Sequence, residues 1–233
     1  YCIVPSTRGD EISIPPEMIV SQIQKAVDNG VVEVALLGQN VNSYGKRFSN
    51  NREKYSFTQL LQDISKIDGL KRIRFTSPHP LHMDDEFIEE FARNPKISKC
   101  IHMPLQSGST KILKAMKRGY TKEWFLNRAL KMRELIPDLR ITTDIIVAFP
   151  GETHEDFLDT LDVVNQVKFD QIFNFKYSPR PNTKALELKD LEIEDSIGSA
   201  RLDELIELHK RYLENSMPNM IGKTVNVLVE SLK

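Results

Sequence analysis

The sequence predicts an α/β protein built on a parallel sheet, and three observations predict it. Apolar strand-like runs alternate with amphipathic helical stretches five times along the 233 residues, the pattern that right-handed crossovers place in one parallel sheet. The clearest of the runs, Arg140 to Phe149, is rich in β-branched residues, which suits a pleated strand. The Gly-, Pro- and Ser-containing stretches fall where strand patterns stop, on the face where such sheets carry their sites. Two architectures satisfy these observations: a TIM-like barrel and a doubly wound open sheet.

The elements follow in order. Tyr1 to Gly9 reads as a strand end running into a loop, with Pro5 and Ser6-Thr7-Arg8-Gly9 as the punctuation. Pro15-Pro16 open a helix, since proline is tolerated in a first turn. Met18, Ile19, Ile23, Ala26 and Val27 keep helical spacing until Asn29-Gly30 stop it. Val31 to Leu37, apolar but for Glu33, reads as a buried parallel strand. The long polar loop from Val41 to Tyr55 is expected to be mobile. Phe57 to Ile67 is a helix with Leu60, Leu61 and Ile64 on one face. Arg72 to Thr76 is a short strand with Ile73 and Phe75 inward and Arg74 outward.

Asp84 to Arg93 is a helix carrying Asp84 and Asp85 at its positive end. Lys99 to Pro104 is strand-like, and Ser109 to Met116 and Thr121 to Leu135 are helices. After the strand from Arg140 come a helix at His154 to Val167, a strand at Phe169 to Phe175, and a long amphipathic helix at Ser196 to Met217. Lys223 to Glu230 alternates Val225, Val227 and Val229 on one face, a last strand.

Composition narrows the classes. Hydrophobic residues at 40% and charged residues at 28% fit a chain with a sizeable core. No apolar run approaches the length of a membrane span, and nothing at Tyr1 reads as a leader. Two cysteines, Cys2 and Cys100, make no disulfide framework, which suits a reducing cytoplasm. A net charge of −1 argues against bulk electrostatic binding of nucleic acid by this chain.

Six stretches stand at strand ends: Tyr1-Cys2-Ile3-Val4-Pro5 with Arg8-Gly9, Leu36-Leu37-Gly38-Gln39-Asn40-Val41-Asn42, Phe75-Thr76-Ser77-Pro78-His79-Pro80, Pro104-Leu105-Gln106-Ser107-Gly108-Ser109, Asp144 to Thr153, and Tyr177-Ser178-Pro179-Arg180-Pro181-Asn182-Thr183. In this order they resemble the radical S-adenosylmethionine (SAM) domain of the methylthiotransferases, and over nearly the whole chain. The nearest look is to the tRNA branch, which methylthiolates isopentenyladenosine beside the anticodon. The resemblance implies a partial (β/α)6 TIM-like barrel whose first strand lies upstream of Tyr1. It implies a radical SAM core over residues 1–217, incomplete at its N-terminus, and the start of a small RNA-binding β-barrel module over 218–233.

The resemblance also implies cofactors and roles. The family holds a 4Fe-4S cluster on three cysteines spaced C-x-x-x-C-x-x-C, with SAM on the open iron, and a second cluster in a domain not represented in this sequence. Cys2 matches the third cysteine of the motif, so this stretch alone is expected to be inactive. Tyr1 matches the aromatic that lies by the SAM adenine; core packing is its other reading. Gly38, Gln39 and Asn40 match the segment that meets the SAM methionine amino group, with two neutral carbonyl oxygens where other radical SAM enzymes carry a carboxylate; a plain turn is the alternative.

Gln106 and Ser107 stand where ribose or carboxylate contacts fall, although Ser107-Gly108-Ser109 also reads as a helix N-cap. Ile146, Ala148, Gly151 and Glu152 match the segment flanking the adenine. The family usually has glycine at the place of Ala148. Arg180 is a candidate for SAM or an RNA phosphate, and Asn182 tolerates the left-handed backbone of the glycine it replaces. Arg8 is a substrate-contact candidate.

Cys100 and His102 share one face of a strand; two ligand-type residues are too few for zinc, and both are read as core. The run Lys111, Lys114, Lys117 and Arg118 reads as a solvated helix face. The partners implied are a tRNA anticodon loop, whose base can be splayed out, and an electron donor such as flavodoxin or ferredoxin, with no membrane. The other readings are the ribosomal-protein aspartate and threonylcarbamoyladenosine branches, a non-catalytic RNA-binding module, and an iron-free phosphate-sugar barrel enzyme.

Overall fold

The computed structural model describes residues 3–48, 54–216, 221–225 and 227–229. Its elements are α1 (Val4–Arg8), α2 (Pro16–Asp28), β1 (Glu33–Leu36), α3 (Phe57–Ser65), β2 (Arg72–Phe75), α4 (Asp85–Arg93), β3 (Cys100–His102), α5 (Thr110–Ala115), α6 (Lys122–Leu135), β4 (Arg140–Val147), α7 (His154–Val167), β5 (Gln171–Lys176) and α8 (Asp195–Ser216). Short 3₁₀ turns stand at Val41–Ser43, Pro80–His82 and Lys184–Leu191.

Helix starts follow from local chemistry. Ser56 and Gln59 form a capping box at α3, and Thr153 and Asp156 form another at α7. Asp84, Ser109 and Thr121 each accept a backbone N–H in the first turn of α4, α5 and α6.

The strands run parallel in chain order. Glu33 pairs with Arg72 across β1–β2, Cys100 with Arg140 across β3–β4, and Thr142 with Gln171 across β4–β5. The residues leading into β3 continue the sheet: Ile73 N–H donates to Lys96 O (2.7 Å), and Ser98 N–H donates to Ile73 O (3.0 Å). Sequential order without a reversal is that of a barrel wall, and a doubly wound sheet reverses its order.

The two faces of the sheet agree with that choice. One buries Ile73, Ile101, Ile141, Ile145, Val147 and Ile172 under the helices, with Leu61, Phe91, Phe125 and Phe157 among their partners. The other face leaves Arg74, Cys100, Arg140, Gln171, Phe173 and Phe175 exposed, as the inner wall of an incomplete barrel does.

Several expectations need correction. Residues Val4–Arg8 form a short helix in place of a loop. β1 is an edge strand with Ala35 exposed, so it is only partly buried. Cys100 and His102 do share a face, but it is the open one; Cys100 is exposed and His102 half-buried. The expected mobile loop is anchored up to residue 48: Val41, Asn42, Ser43 and Phe48 are buried, Tyr44 Oη donates to Ile14 O (2.7 Å), and Gly45 N–H donates to Ser13 Oγ (2.9 Å). Of the expected last strand, the described residues 223–225 and 227–229 form no strand, and Val225, Val227 and Val229 are exposed; no strand pairs with them there, and an unpaired segment has no ladder to hold it. Among the described residues no helix is long and apolar enough to cross a membrane.

Candidate functional site

The candidate site is built on the segments that follow the C-terminal ends of β1 to β4. The segments after β1 and β2 are tied to each other. The Asn42 side chain donates to His79 O (3.0 Å) and accepts from His79 N–H (2.7 Å), and Val41 N–H donates to Ser77 O (3.3 Å). This is why Gly38-Gln39-Asn40-Val41-Asn42 and Ser77-Pro78-His79 behave as one unit: a single amide side chain closes both turns. Burial holds His79 far below the usual imidazole range, at about 3, with the nearby charges of Arg118, His82 and Lys46 adding to it.

Arg8, Gly38, Gln39 and Asn40 come together in one cleft of about 310 Å³, walled by Ile12, Ile14, Leu37 and Tyr44. Asn40 lines that cleft, and its Oδ1 is buried with no hydrogen-bond partner among the described residues. A buried amide oxygen without a donor costs free energy in the empty protein. A donor N–H brought to that oxygen would relieve the cost, and an ammonium group carries such donors.

Three residues without a glycine's freedom adopt the left-handed backbone just past three successive strands: Ser77 (φ 56°), Gln106 (φ 70°) and Ala148 (φ 59°). Strain of this kind gathers at sites that the surrounding structure holds in place. Gln106 is buried and extends the β3–β4 pairing: its N–H donates to Asp144 O (2.8 Å) and its carbonyl accepts from Ile146 N–H (2.9 Å). Ala148 N–H donates to Glu152 Oε1 (3.0 Å), and that same oxygen accepts from Arg201 Nη1 (2.7 Å) on α8. Burial raises the Glu152 carboxyl, opposed by the Ala148 N–H and Arg201. Glu152 therefore fixes the strand-end backbone and the docking of α8.

The remaining residues divide. Ser107 is fully buried and its Oγ accepts from Ser109 N–H (3.2 Å), a helix-start role. Gly108 packs so closely on α7 that a Cβ would stand 2.4 Å from Asp159 O. Arg180 is exposed, and its turn survives because Asn182 takes φ 61°. Half of the basic run is structural: Lys111 pairs with Asp156 (2.7 Å), and Arg118 lies 5.5 Å from the Tyr120 ring centre. Tyr1 and Cys2 lie outside the described residues.

The sequence reading missed a polar trio on the open face. His102 Nδ1 stands 2.8 Å from Thr142 Oγ1, and His102 Nε2 stands 3.1 Å from Asp144 Oδ2. The signal in the sequence was the alternation itself, His102 on one strand and Thr142 and Asp144 on the next.

SAM and the cluster fare differently against these residues. The orphaned Asn40 oxygen and the cleft around it suit SAM. Among the described residues no three His, Cys, Asp or Glu stand where they hold a metal ion. Although Cys100 stands on the open face, partial desolvation of its sulfur and the nearby Asp170 carboxylate push its thiol up, away from the thiolate an iron needs. Cys2, the other cysteine of the sequence, lies outside the described residues.

Comparison with known proteins gives consistent results. A family model described as the Radical SAM superfamily matches residues 1–164. A tRNA-2-methylthio-N(6)-dimethylallyladenosine synthase of Aliarcobacter butzleri (strain RM4018) is 82% identical over 233 residues, covering 100% of this chain and 53% of that protein. The synthase of the same name from a Nitratiruptor species is 59% identical, covering 100% of this chain and 54% of its own length. The chain thus spans about half the length of the curated relatives it matches. Among solved structures, coproporphyrinogen III oxidase (HemN) from Escherichia coli superposes with a TM-score of 0.55 at 13% identity, over 84% of this chain and 46% of that one. That likeness is one of fold.

Proposed function

The chain belongs to the radical SAM superfamily, and from that premise we propose that it is the SAM-binding core of a tRNA methylthiotransferase acting on C2 of isopentenyladenosine beside the anticodon. The observation that carries the reading is the 82% identity across the whole chain to a protein named for that product. The motifs after β1 and β2, joined through Asn42 and His79, support the tRNA branch over the aspartate branch.

The proposed roles follow from placement. Asn40, with Gln39 beside it, accepts from the methionine ammonium of SAM in the cleft that Gly38 opens and Arg8 borders. Ile146 and Ala148 flank the adenine, Gln106 holds the neighbouring strand end in register, and Arg180 faces outward toward ligand or RNA phosphate. Tyr1 stands by the adenine, and Cys2 is one of three cluster thiolates, the other two belonging to the full-length protein. When bound, the 4Fe-4S clusters and SAM supply the radical chemistry that a non-acidic C–H bond needs.

Residues 218–233 begin the RNA-binding module, the anticodon loop is the partner, and flavodoxin or ferredoxin is the electron donor, all in the cytoplasm. The 233-residue chain alone, with one matching cysteine, is inactive. The test is complementation. The full-length protein, expressed in a host lacking the enzyme, restores methylthiolated isopentenyladenosine in digested tRNA by mass spectrometry. Unchanged tRNA with a methylthiolated ribosomal aspartate overturns the reading in favour of the other branch.

A further inference from the structure

The open face of the sheet carries a second group of polar and aromatic residues below Ile146 and Phe175. β4 alternates, so Asp144 lies on the same face as Ile146, one pleat nearer the N-terminal end of the strand. Gln106 N–H is bound to the carbonyl of Asp144 itself (2.8 Å). Asp144 pairs in register with Phe173, and His102 with Thr142. On this face the row beneath Ile146 therefore carries Asp144 and Phe173, and the row beneath that carries Thr142 and His102.

Its chemistry is specific. A carboxylate only accepts, so His102 Nε2 donates to Asp144 Oδ2 (3.1 Å), and in the neutral imidazole Nδ1 then accepts from the Thr142 hydroxyl (2.8 Å). The imidazole is thereby fixed in one tautomer. Asp144 Oδ1 has no partner among the described residues, and the side chain is 30% exposed. Phe173 meets the His102 ring edge-on, with centroids 6.1 Å apart, yet it is 42% exposed; Phe175, one pleat further along, is 51% exposed. Ile172, beside Phe173 on the strand, points the other way and is buried. Two open functions remain on the strip: a hydrogen-bond acceptor and an aromatic face. At Asp144 itself the carboxylate disfavours an anionic group. A flat ring with an N–H on its edge satisfies both.

We propose that His102, Thr142, Asp144 and Phe173 form a purine-binding wall, in which Phe173 stacks on the ring and Asp144 Oδ1 accepts from the exocyclic N–H. Two sources carry that chemistry, the adenosine of SAM and the target adenosine of an RNA. The identity of the purine rests on the function proposed above, and the wall itself rests on the geometry of β3 to β5.

The experiment uses the full-length, cluster-loaded protein and two probes: SAM by calorimetry, and an anticodon stem-loop RNA containing isopentenyladenosine by anisotropy. Phe173→Ala weakens one of the two by about tenfold, whereas Phe173→Tyr, which keeps the ring, stays within about twofold of wild type. Phe173 is 42% exposed and lies outside the buried core, so both variants stay folded at the assay temperature, which melting curves check. A stem-loop with 2-aminopurine at the target base reads stacking directly: its fluorescence is quenched by wild type and less so by Phe173→Ala if the target base is the occupant. Loss confined to the RNA assigns the wall to the target base, and loss confined to SAM assigns it to the cofactor. Wild-type affinity for both probes in Phe173→Ala and Asp144→Leu overturns the wall while leaving the proposed function standing. A wild-type protein that binds neither probe overturns both.

Discussion

The methyl group of Ala148 lies against the bare α-carbon of Gly198: a Cβ built on Gly198 would stand 3.1 Å from Ala148 Cβ and 3.0 Å from Lys176 Cδ. The left-handed backbone at Ala148 (φ 59°) and the absent side chain on α8 are thus two halves of one arrangement. An alanine fits where a glycine is usual because the facing helix gives up its own side chain.

From this contact, Ala148→Val destabilises the protein by roughly 2–3 kcal/mol, since a β-branched residue is strained at positive φ. Ala148→Gly changes stability by less than about 1 kcal/mol, because relief of strain is offset by the greater freedom of the unfolded chain. Gly198→Val costs about 2 kcal/mol by overpacking. Urea midpoints on the same preparation measure all three, and a stable Gly198→Val protein would show that α8 shifts freely over the sheet.

Arg201 and Glu152 form the second lock. Their side chains are 10% and 1% exposed and 2.7 Å apart. Arg201→Met leaves the Glu152 carboxylate buried without its cation, and costs about 3 kcal/mol near neutral pH. Burial already raises the folded pKa of Glu152 above its ordinary value of 4.5. An acid whose pKa is raised on folding loses native stability as pH rises, because the unfolded state releases its proton first. The deficit of Arg201→Met therefore grows as pH is taken upward from about 4.5, and Arg201→Met/Glu152→Gln recovers much of it. Denaturation curves across pH read both effects.

Asp156 has the opposite sign. Burial would raise its carboxyl, but Lys111, Ser109 and the Thr153 N–H and hydroxyl bind it and hold it at about 2, below the ordinary value of 3.8. The stability this contributes is full above the unfolded pKa and is lost as pH falls through the folded one. The chain is expected to lose roughly 2 kcal/mol between about pH 4 and pH 2 through this group. Asp156→Asn lowers stability at pH 7 and flattens that limb of the pH profile. An unchanged slope would assign the acid transition to other groups.

These contacts also show what was legible in the sequence. The helix at His154–Val167 could be read to the residue, because the capping residue Thr153 and the apolar spacing both declare it. Asn182 could be read as a left-handed turn residue, and the structure gives it φ 61°, because asparagine tolerates that backbone. Parallel order followed from alternation alone. The face of β3 did not. A two-residue spacing places Cys100 and His102 together but does not say which side the helices cover, and an inner barrel wall can be polar. Nor did Gln106 announce its φ of 70°, since no glycine marks the position. The partners that make Glu152 a lock lie on α8, about fifty residues onward, and pairings of that range leave no local trace.

Asn40 separates function from structure most cleanly. Its Oδ1 is buried and unpartnered among the described residues, so removing it takes away a desolvated acceptor that contributes nothing in the ligand-free protein. Its backbone carbonyl, which accepts from Ser43 N–H (3.0 Å) and Ser43 Oγ (2.9 Å), remains after substitution. Asn40→Ala is therefore expected to keep its melting temperature or gain slightly. If the oxygen waits for the SAM ammonium, the same change weakens SAM binding to the full-length, cluster-loaded protein by about tenfold, in line with roughly 1.5–3 kcal/mol for a hydrogen bond to a charged group. Asn40→Asp keeps the acceptor and adds the carboxylate usual in other radical SAM enzymes, and it retains affinity. Calorimetry with SAM decides between the outcomes. Full affinity in Asn40→Ala, together with raised stability, would mean that the orphaned oxygen is a local defect of the turn after β1 and that SAM is held by other residues.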